Sequence, residues 1–212
     1  MINSIIKLVI SESSKKEFIG TGTFIKYKDK ILLATAAHCI YNFEKKIKAK
    51  KIKAVYRSGN FTKSILVKDV FFYDDWYKNG LLSYDFAICT LCNVPHSPKY
   101  IYSVGTDIYL KIASGSKIKM IGLDQGFLFD KEFRFLGSPN FDLLESNNLI
   151  GGAIRMNAGS SGGPVTITNN KGLEKQVGVI SSTLLEYPDY TWGVLWNQKV
   201  IPLLEKAVSK NG

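Results

Sequence analysis

The sequence predicts an all-β protein in two halves, closed at its C-terminal end by a single helix. Three observations carry that prediction. Short apolar runs recur along the chain, rich in Ile, Val, Leu, Phe and Tyr and separated by turn residues, which is the pattern of a barrel or sandwich. Residues 95–102, with Pro95 and Pro98, read as a linker that cannot hold a central strand, and they divide the runs into an N-terminal half, 1–95, and a C-terminal half, 96–212. Helical spacing shows only near the end, where Ile201, Leu204 and Val208 share one face of segment 200–210 and Pro202 sits in its first turn.

Taken in order, residues 5–10 give the first strand, followed by a polar turn at 11–16. Runs 18–25 and 31–35 read as a hairpin around Lys28-Asp29-Lys30, and 51–56 and 64–73 as further strands. Residues 74–80 read as a polar loop leading to an apolar strand that starts after Asp85. In the second half the runs are 108–112, 117–122, 132–136 and 149–154, then 164–168, 176–182 and 190–196. No internal repeat is detectable.

With 212 residues and 45% hydrophobic content the chain can bury a sizeable core. No apolar run reaches the roughly 18 residues that cross a bilayer as a helix, so no membrane span is expected. Run 5–10 is shorter than a usual signal-peptide core and lacks a small-residue cleavage site after it. The expected location is the cytoplasm; a mature chain that has lost a leader, or a piece of a polyprotein, would look the same. Cys39, Cys89 and Cys92 cannot all pair among themselves and lack the spacing of a zinc site, so neither a disulfide framework nor a metal is expected, and no cofactor. The formal charge of +10 acts on partners or solubility rather than on fold. Lysines crowd residues 45–53, interleaved with Ile47, Ala49 and Ile52, and read first as the solvated face of a strand. A surface for nucleic-acid phosphates is the alternative, weakened by the scarcity of aromatic rings for base stacking.

Three short stretches carry chemistry. Ser161 lies in Met156-Asn157-Ala158-Gly159-Ser160-Ser161-Gly162-Gly163-Pro164-Val165, a loop of small residues. A serine hydroxyl needs a base to remove its proton and donors aimed at the oxyanion that develops, and glycines let the backbone turn its N–H groups inward. His38 lies in Thr35-Ala36-Ala37-His38-Cys39, where small side chains leave a smooth wall behind an imidazole that must move between two partners. Asp85 heads Phe86-Ala87-Ile88, an apolar strand that would bury its carboxylate, whereas Asp74 and Asp75 are followed by loop residues. His96, between Pro95 and Pro98, has no evident role.

These residues resemble the trypsin/chymotrypsin-like serine peptidases. The loop matches G-x-S-G-G-P, the histidine stretch matches T-A-A-H-C, and Asp85 fits the aspartate-headed strand between them. The order His38, Asp85, Ser161 is that of the chymotrypsin-type triad and differs from the subtilisin and α/β-hydrolase orders. The resemblance implies two six-stranded antiparallel Greek-key barrels of the chymotrypsin type with a C-terminal helix, the first barrel carrying His38 and Asp85 and the second Ser161. It also implies a serine endopeptidase that acts on polypeptides through an acyl-enzyme, with Asp85 fixing the tautomer of His38. The N–H groups of Gly159 and Ser161 would form the oxyanion hole. Ser181 would support the aspartate, and the main chain of Ser181, Ser182 and Thr183 would pair with an extended substrate. The alternative keeps the fold and gives it a nucleic-acid- or protein-binding role through its basic surface.

Departures from the family pattern narrow the resemblance. Strand 18–24 offers Cys39 no cysteine partner, and Ser160 stands where animal trypsins carry the aspartate that pairs with a newly cut N-terminus. Both point to a bacterial or viral type, similar to Deg-type and glutamyl-endopeptidase-like enzymes. Substrate preference is expected from Arg155, at the position of the base of the primary pocket, and from Gly193, where a glycine leaves that pocket open. Arg155 either reaches solvent or awaits an acidic side chain, and Ile180 stands where glutamate-specific relatives place a histidine.

Overall fold

A computed structural model describes residues 5–13, 16–93, 101–106, 118–123, 132–137, 148–168, 174–184 and 187–210. Apolar alternation in the N-terminal half closes into a ring. β1 (Ile5–Ser13), β2 (Lys16–Tyr27) and β3 (Lys30–Thr35) form an antiparallel meander, and the turn into β3 holds Lys28 and Asp29 at positive φ, as a two-residue hairpin turn requires. A short ribbon of β4 (Tyr41–Asn42) and β5 (Ile47–Lys48) precedes β6 (Lys51–Ser58), β7 (Phe61–Phe71) and β8 (Ala87–Leu91). The hydrogen-bonded order is β1-β6-β7-β8-β3-β2, and β2 returns to β1, so six strands make a closed barrel without a free edge. Ile6, Leu8, Ile10, Phe24, Leu33, Ile52 and Ala54 fill it.

The second half repeats the architecture with β10 (Ile118–Leu123), β11 (Glu132–Gly137), β12 (Leu149–Gly152), β13 (Pro164–Thr168), β14 (Glu174–Leu184) and β15 (Tyr187–Leu195). Their antiparallel order is β11-β10-β13-β14-β15-β12, around a core of Met120, Ile150, Val165, Val177, Ile180 and Leu195. β9 (Tyr102–Val104) runs parallel to β2 on one side and to β14 on the other, stitching the halves together. The strand expected at 108–112 and the boundary expected at 95/96 lie outside the described residues.

A third apolar layer sits between the halves. Ile25, Leu32, Phe86 and Ile88 of the first meet Leu149, Val179, Trp192, Val194 and Trp196 of the second. This explains why residues 20–25 of β2 are buried on both faces: one face lines its own barrel, the other is covered by the second half. Residues 74–80, expected as a polar loop, instead contain helix α1 (Asp74–Asn79). Asp74 and Asp75 complement its N-terminal end, and Gly80, at φ 62°, ends it by donating to the Trp76 carbonyl at 3.0 Å. Six residues are too few to show helical periodicity in sequence. The expected closing helix is α2 (Val200–Lys210), which buries Val200, Leu203, Leu204 and Ala207 in the layer between the halves. No helix among the described residues is long and apolar enough to cross a membrane.

All three cysteines are free. A Cβ added at Gly20 of β2 would lie 3.0 Å from Sγ of Cys39, the separation that a disulfide sets between Cβ and the opposite sulfur. Gly20→Cys should therefore form a bridge to Cys39 under oxidising conditions and stabilise the fold by about 2–4 kcal/mol. A melting curve of the variant with and without reductant checks this, and wild type should melt alike in both.

Candidate active site

Three local structures bring the sequence-predicted residues together. β3 ends at Thr35, and a 3-10 turn, Ala37–Cys39, carries His38 with Ala36 and Ala37 fully buried behind it. A second 3-10 turn, Leu82–Tyr84, sets Asp85 at the head of β8, where it is buried. The third element is the loop before β13, which holds Ser161.

The Asp85 carboxylate is saturated. One oxygen accepts the backbone N–H of His38 at 2.8 Å; the other accepts Nδ1–H of His38 at 2.7 Å and the hydroxyl of Ser181 at 2.5 Å. With a carboxylate as its acceptor, Nδ1 must carry the proton, which leaves Nε2 of a neutral His38 as a base. Ser181 reaches in both directions, because its carbonyl accepts the Ser161 hydroxyl at 3.4 Å. The Ser161 hydroxyl thus rests on Ser181 rather than on the imidazole.

Backbone geometry around Ser161 follows from its glycines. Gly159 and Gly162 take φ of 103° and 84°. At Gly162 a Cβ would come 2.1 Å from the Thr35 hydroxyl and 2.2 Å from the Thr21 carbonyl, so no other residue fits. The N–H groups of Ser160, Gly162 and Gly163 donate to Asn157, Ile180 and Ser160 carbonyls. Those of Gly159 and Ser161 donate to no backbone carbonyl among the described residues. Ser160, buried, donates its hydroxyl to the Asn157 carbonyl at 2.8 Å and so closes the loop on itself, where an aspartate would need an external ammonium.

Sequence reading missed the residues that seat this loop. Thr21 of β2 donates its N–H to the Ser161 carbonyl at 2.8 Å and its hydroxyl to the Gly159 carbonyl at 2.6 Å. Gly122 of β10 lies against Ser160, whose Cβ would sit 2.3 Å from a Cβ at 122. Neither carries a local signal, since each acts across the fold.

Beside Ser161 opens a cavity of about 180 Å³. Met156, Asn157, Ala158, Ile180, Ser181, Ser182 and Thr183 line it, as does Thr191, which was not anticipated. A register shift in β14 between Ile180 and Ser182 turns this part of the strand to the site. Two residues expected to set substrate preference lie away from this cavity. Arg155 is exposed and does not line the cavity. Gly193 does not line it either: its Cβ position faces Val165 at 2.6 Å, in the barrel core, because Thr191, two residues earlier on the same side of β15, fills the pocket position. Among the described residues no cluster of His, Cys, Asp or Glu could hold a metal.

Burial works against the His38 imidazolium, but the Asp85 carboxylate outweighs it and raises His38 well above its ordinary 6.5. Burial likewise opposes the Asp85 carboxylate, and His38 with the hydrogen bonds prevails to lower it from 3.8. Because His38 is raised on folding, its pairing stabilises fully below about pH 6.5 and is lost as pH rises through the folded value; Asp85 stabilises above its unfolded value and loses this as pH falls. An NMR titration should find His38 above 6.5 in wild type and lower in Asp85→Asn. An unchanged value in the variant would contradict the assignment.

No protein-family profile matches the chain, and no curated protein matches it. Solved structures do. A thermostable serine protease, AL20, from an extremophilic microorganism superposes with TM-score 0.79 at 16% identity, covering 98% of this chain and 97% of that one. The protease Anisep from Arthrobacter nicotinovorans gives 0.78 at 17%, covering 98% and 96%. A Glu endopeptidase gives 0.73 at 20%, covering 98% and 91%. Identity this low speaks for architecture alone, and over nearly its whole length the chain has the chymotrypsin-like two-barrel fold of these serine proteases.

Proposed function

We propose that the protein is a serine endopeptidase that cleaves polypeptides through an acyl-enzyme on Ser161. The observation that carries this reading is the unbroken run of contacts from His38 through Asp85 to Ser181 and on to Ser161. The Ser161 hydroxyl leaves the Ser181 carbonyl, a bond long enough at 3.4 Å to release easily, and gives its proton to Nε2 of His38 as its oxygen bonds the scissile carbonyl carbon. Negative charge moves to the carbonyl oxygen, where the N–H groups of Gly159 and Ser161 receive it. His38 then passes the proton to the leaving amine as the C–N bond breaks, and water repeats the sequence on the ester. Each oxyanion donor contributes on the order of 3 kcal/mol to such a transition state. The shared fold of serine proteases supports the same reading.

The cavity favours an uncharged side chain just before the scissile bond. No charged side chain lines it among the described residues. Thr191 donates its hydrogen to the Ile154 carbonyl, Ser160 to Asn157 and Ser181 to Asp85. A substrate carboxylate therefore finds only uncharged donors, the Ser182 hydroxyl that has no partner among the described residues being one of them, and no cation to offset its lost hydration. This sets the chain apart from what the name Glu endopeptidase says of that neighbour.

A fluorophosphonate should label Ser161 in wild type and nothing in Ser161→Ala; labelling elsewhere would sink the assignment. Asp85→Asn should lower kcat on the order of 10⁴-fold while the melting curve stays cooperative. In matched peptides, cleavage after Gln should exceed cleavage after Glu by at least about tenfold, since the carboxylate pays its desolvation unaided. Arg155→Ala should leave that ratio unchanged, and a fall in Glu cleavage with this variant would return Arg155 to the pocket.

A further inference from the structure

Under the peptidase reading, on which this inference rests, the route of the proton also decides which half of a substrate lies where. The acyl half stays on Ser161, beside the cavity and residues 181–183. The other half departs as the amine that His38 protonates, so the residues after the scissile bond pass over the barrel that carries His38.

The chain next to His38 is strongly basic. Residues 43–53 hold six lysines and one acid, Glu44, and none of the six has an ion pair among the described residues. Lys45, Lys46 and Lys48 come first, exposed on the β4–β5 ribbon. The ribbon is anchored at both ends. Asn42 accepts the Lys45 N–H on its side-chain oxygen at 2.9 Å, and Ala49 donates its N–H to the carbonyl of Ile40, two residues from His38, at 2.7 Å. Ring contacts link the imidazole to the turn: His38 and Trp76 centroids are 6.4 Å apart, Trp76 and Phe43 are 6.4 Å apart, and Lys46 Nζ stands 3.5 Å from the Phe43 centroid. An extended chain at about 3.3 Å per residue therefore spans from His38 to Lys46 in about five residues or fewer.

Few acids oppose this charge. On α1, packed against the ribbon through Trp76 and Tyr77, Asp74 is held by Lys78 at 3.0 Å, which leaves Asp75 and Glu44 against six lysines. A carboxylate arriving here keeps much of its water and meets several cations at once. The cavity offers the reverse, drying without a cation.

We propose that Lys45, Lys46 and Lys48 select polypeptides that carry acidic residues a few positions after the scissile bond. The preferred substrate then has an uncharged residue at the cut and an acidic stretch following it. The lysines act on substrate capture and take no part in the bond-making steps.

The test compares three peptides with Gln before the scissile bond. One carries a pair of Glu at the third and fourth positions after the bond, one carries the pair at the third and fourth positions before it, and one has Gln in both places. The expected kcat/KM of the first exceeds that of the neutral peptide by on the order of fivefold at low ionic strength, chiefly through KM, and the second shows no gain. Near 1 M salt, where the Debye length is about 3 Å, the gain should vanish. A variant combining Lys45→Ser, Lys46→Asn and Lys48→Ser should remove the advantage of the first peptide over the neutral one; Asn tolerates the φ of 54° that Lys46 holds. Equal gains from both placements would assign the effect to the whole net charge of +10 and overturn the proposal, as would a gain that survives high salt or the variant. Cleavage of all three peptides at one rate overturns this inference alone, whereas loss of both cleavage and fluorophosphonate labelling overturns the peptidase reading with it. Should the variant fail to fold, the contrast between placements in wild type and its salt dependence decide.

Discussion

A buried carboxylate that must never lose its partners sets the terms for the rest of the molecule. Asp85 has a side chain 1% exposed, and leaving such a charge unpaired costs about 3–5 kcal/mol. Its three donors come from different parts of the chain: two from the turn after β3 and one from β14 of the opposite half. Satisfying the acid therefore requires the halves to be docked in one register. The apolar layer of Phe86, Ile88, Trp192 and Trp196 supplies non-directional attraction for that docking, and the carboxylate selects the geometry.

The same division of labour recurs at the Ser161 loop. Its short-range shape comes from Gly159 and Gly162, which alone accept the required backbone angles. Its position comes from Thr21, whose N–H and hydroxyl hold two loop carbonyls while its own hydroxyl oxygen accepts from Leu123 at 3.1 Å. One threonine of the first barrel thereby ties the loop to both β2 and β10. The Ser161 hydroxyl itself is held more loosely, by a bond of 3.4 Å to the Ser181 carbonyl.

What was legible in the sequence is what local chemistry dictates. His38, Asp85 and Ser161 each demand a particular company of small or apolar residues within a few positions, and strands and the closing helix show in their periodicity. Thr21 and Gly122 are invisible by contrast, because nothing beside them in the chain hints at partners far along it. Arg155 and Gly193 show a different limit: sequence position does not say where a side chain or a Cβ points, and the cavity is lined by Thr191 rather than by either of them. Helix α1 was lost because a single turn and a half can be recognised only by its ends, Asp74 with Asp75 at one and Gly80 at the other.

Splitting one site between two barrels also governs when it can exist during synthesis. His38 and Asp85 emerge from the ribosome well before Ser161, and the first barrel can close on its own strands without that serine. Ser161 follows, yet its loop takes shape only against Thr21 and Thr35, and Ser181, the link to Asp85, comes later still. No folding intermediate short of the docked pair holds His38, Ser161 and the Gly159 N–H together. Under the peptidase reading, the nascent chain cannot cut itself or its neighbours, and competence arrives in one step with the last strands of the second half.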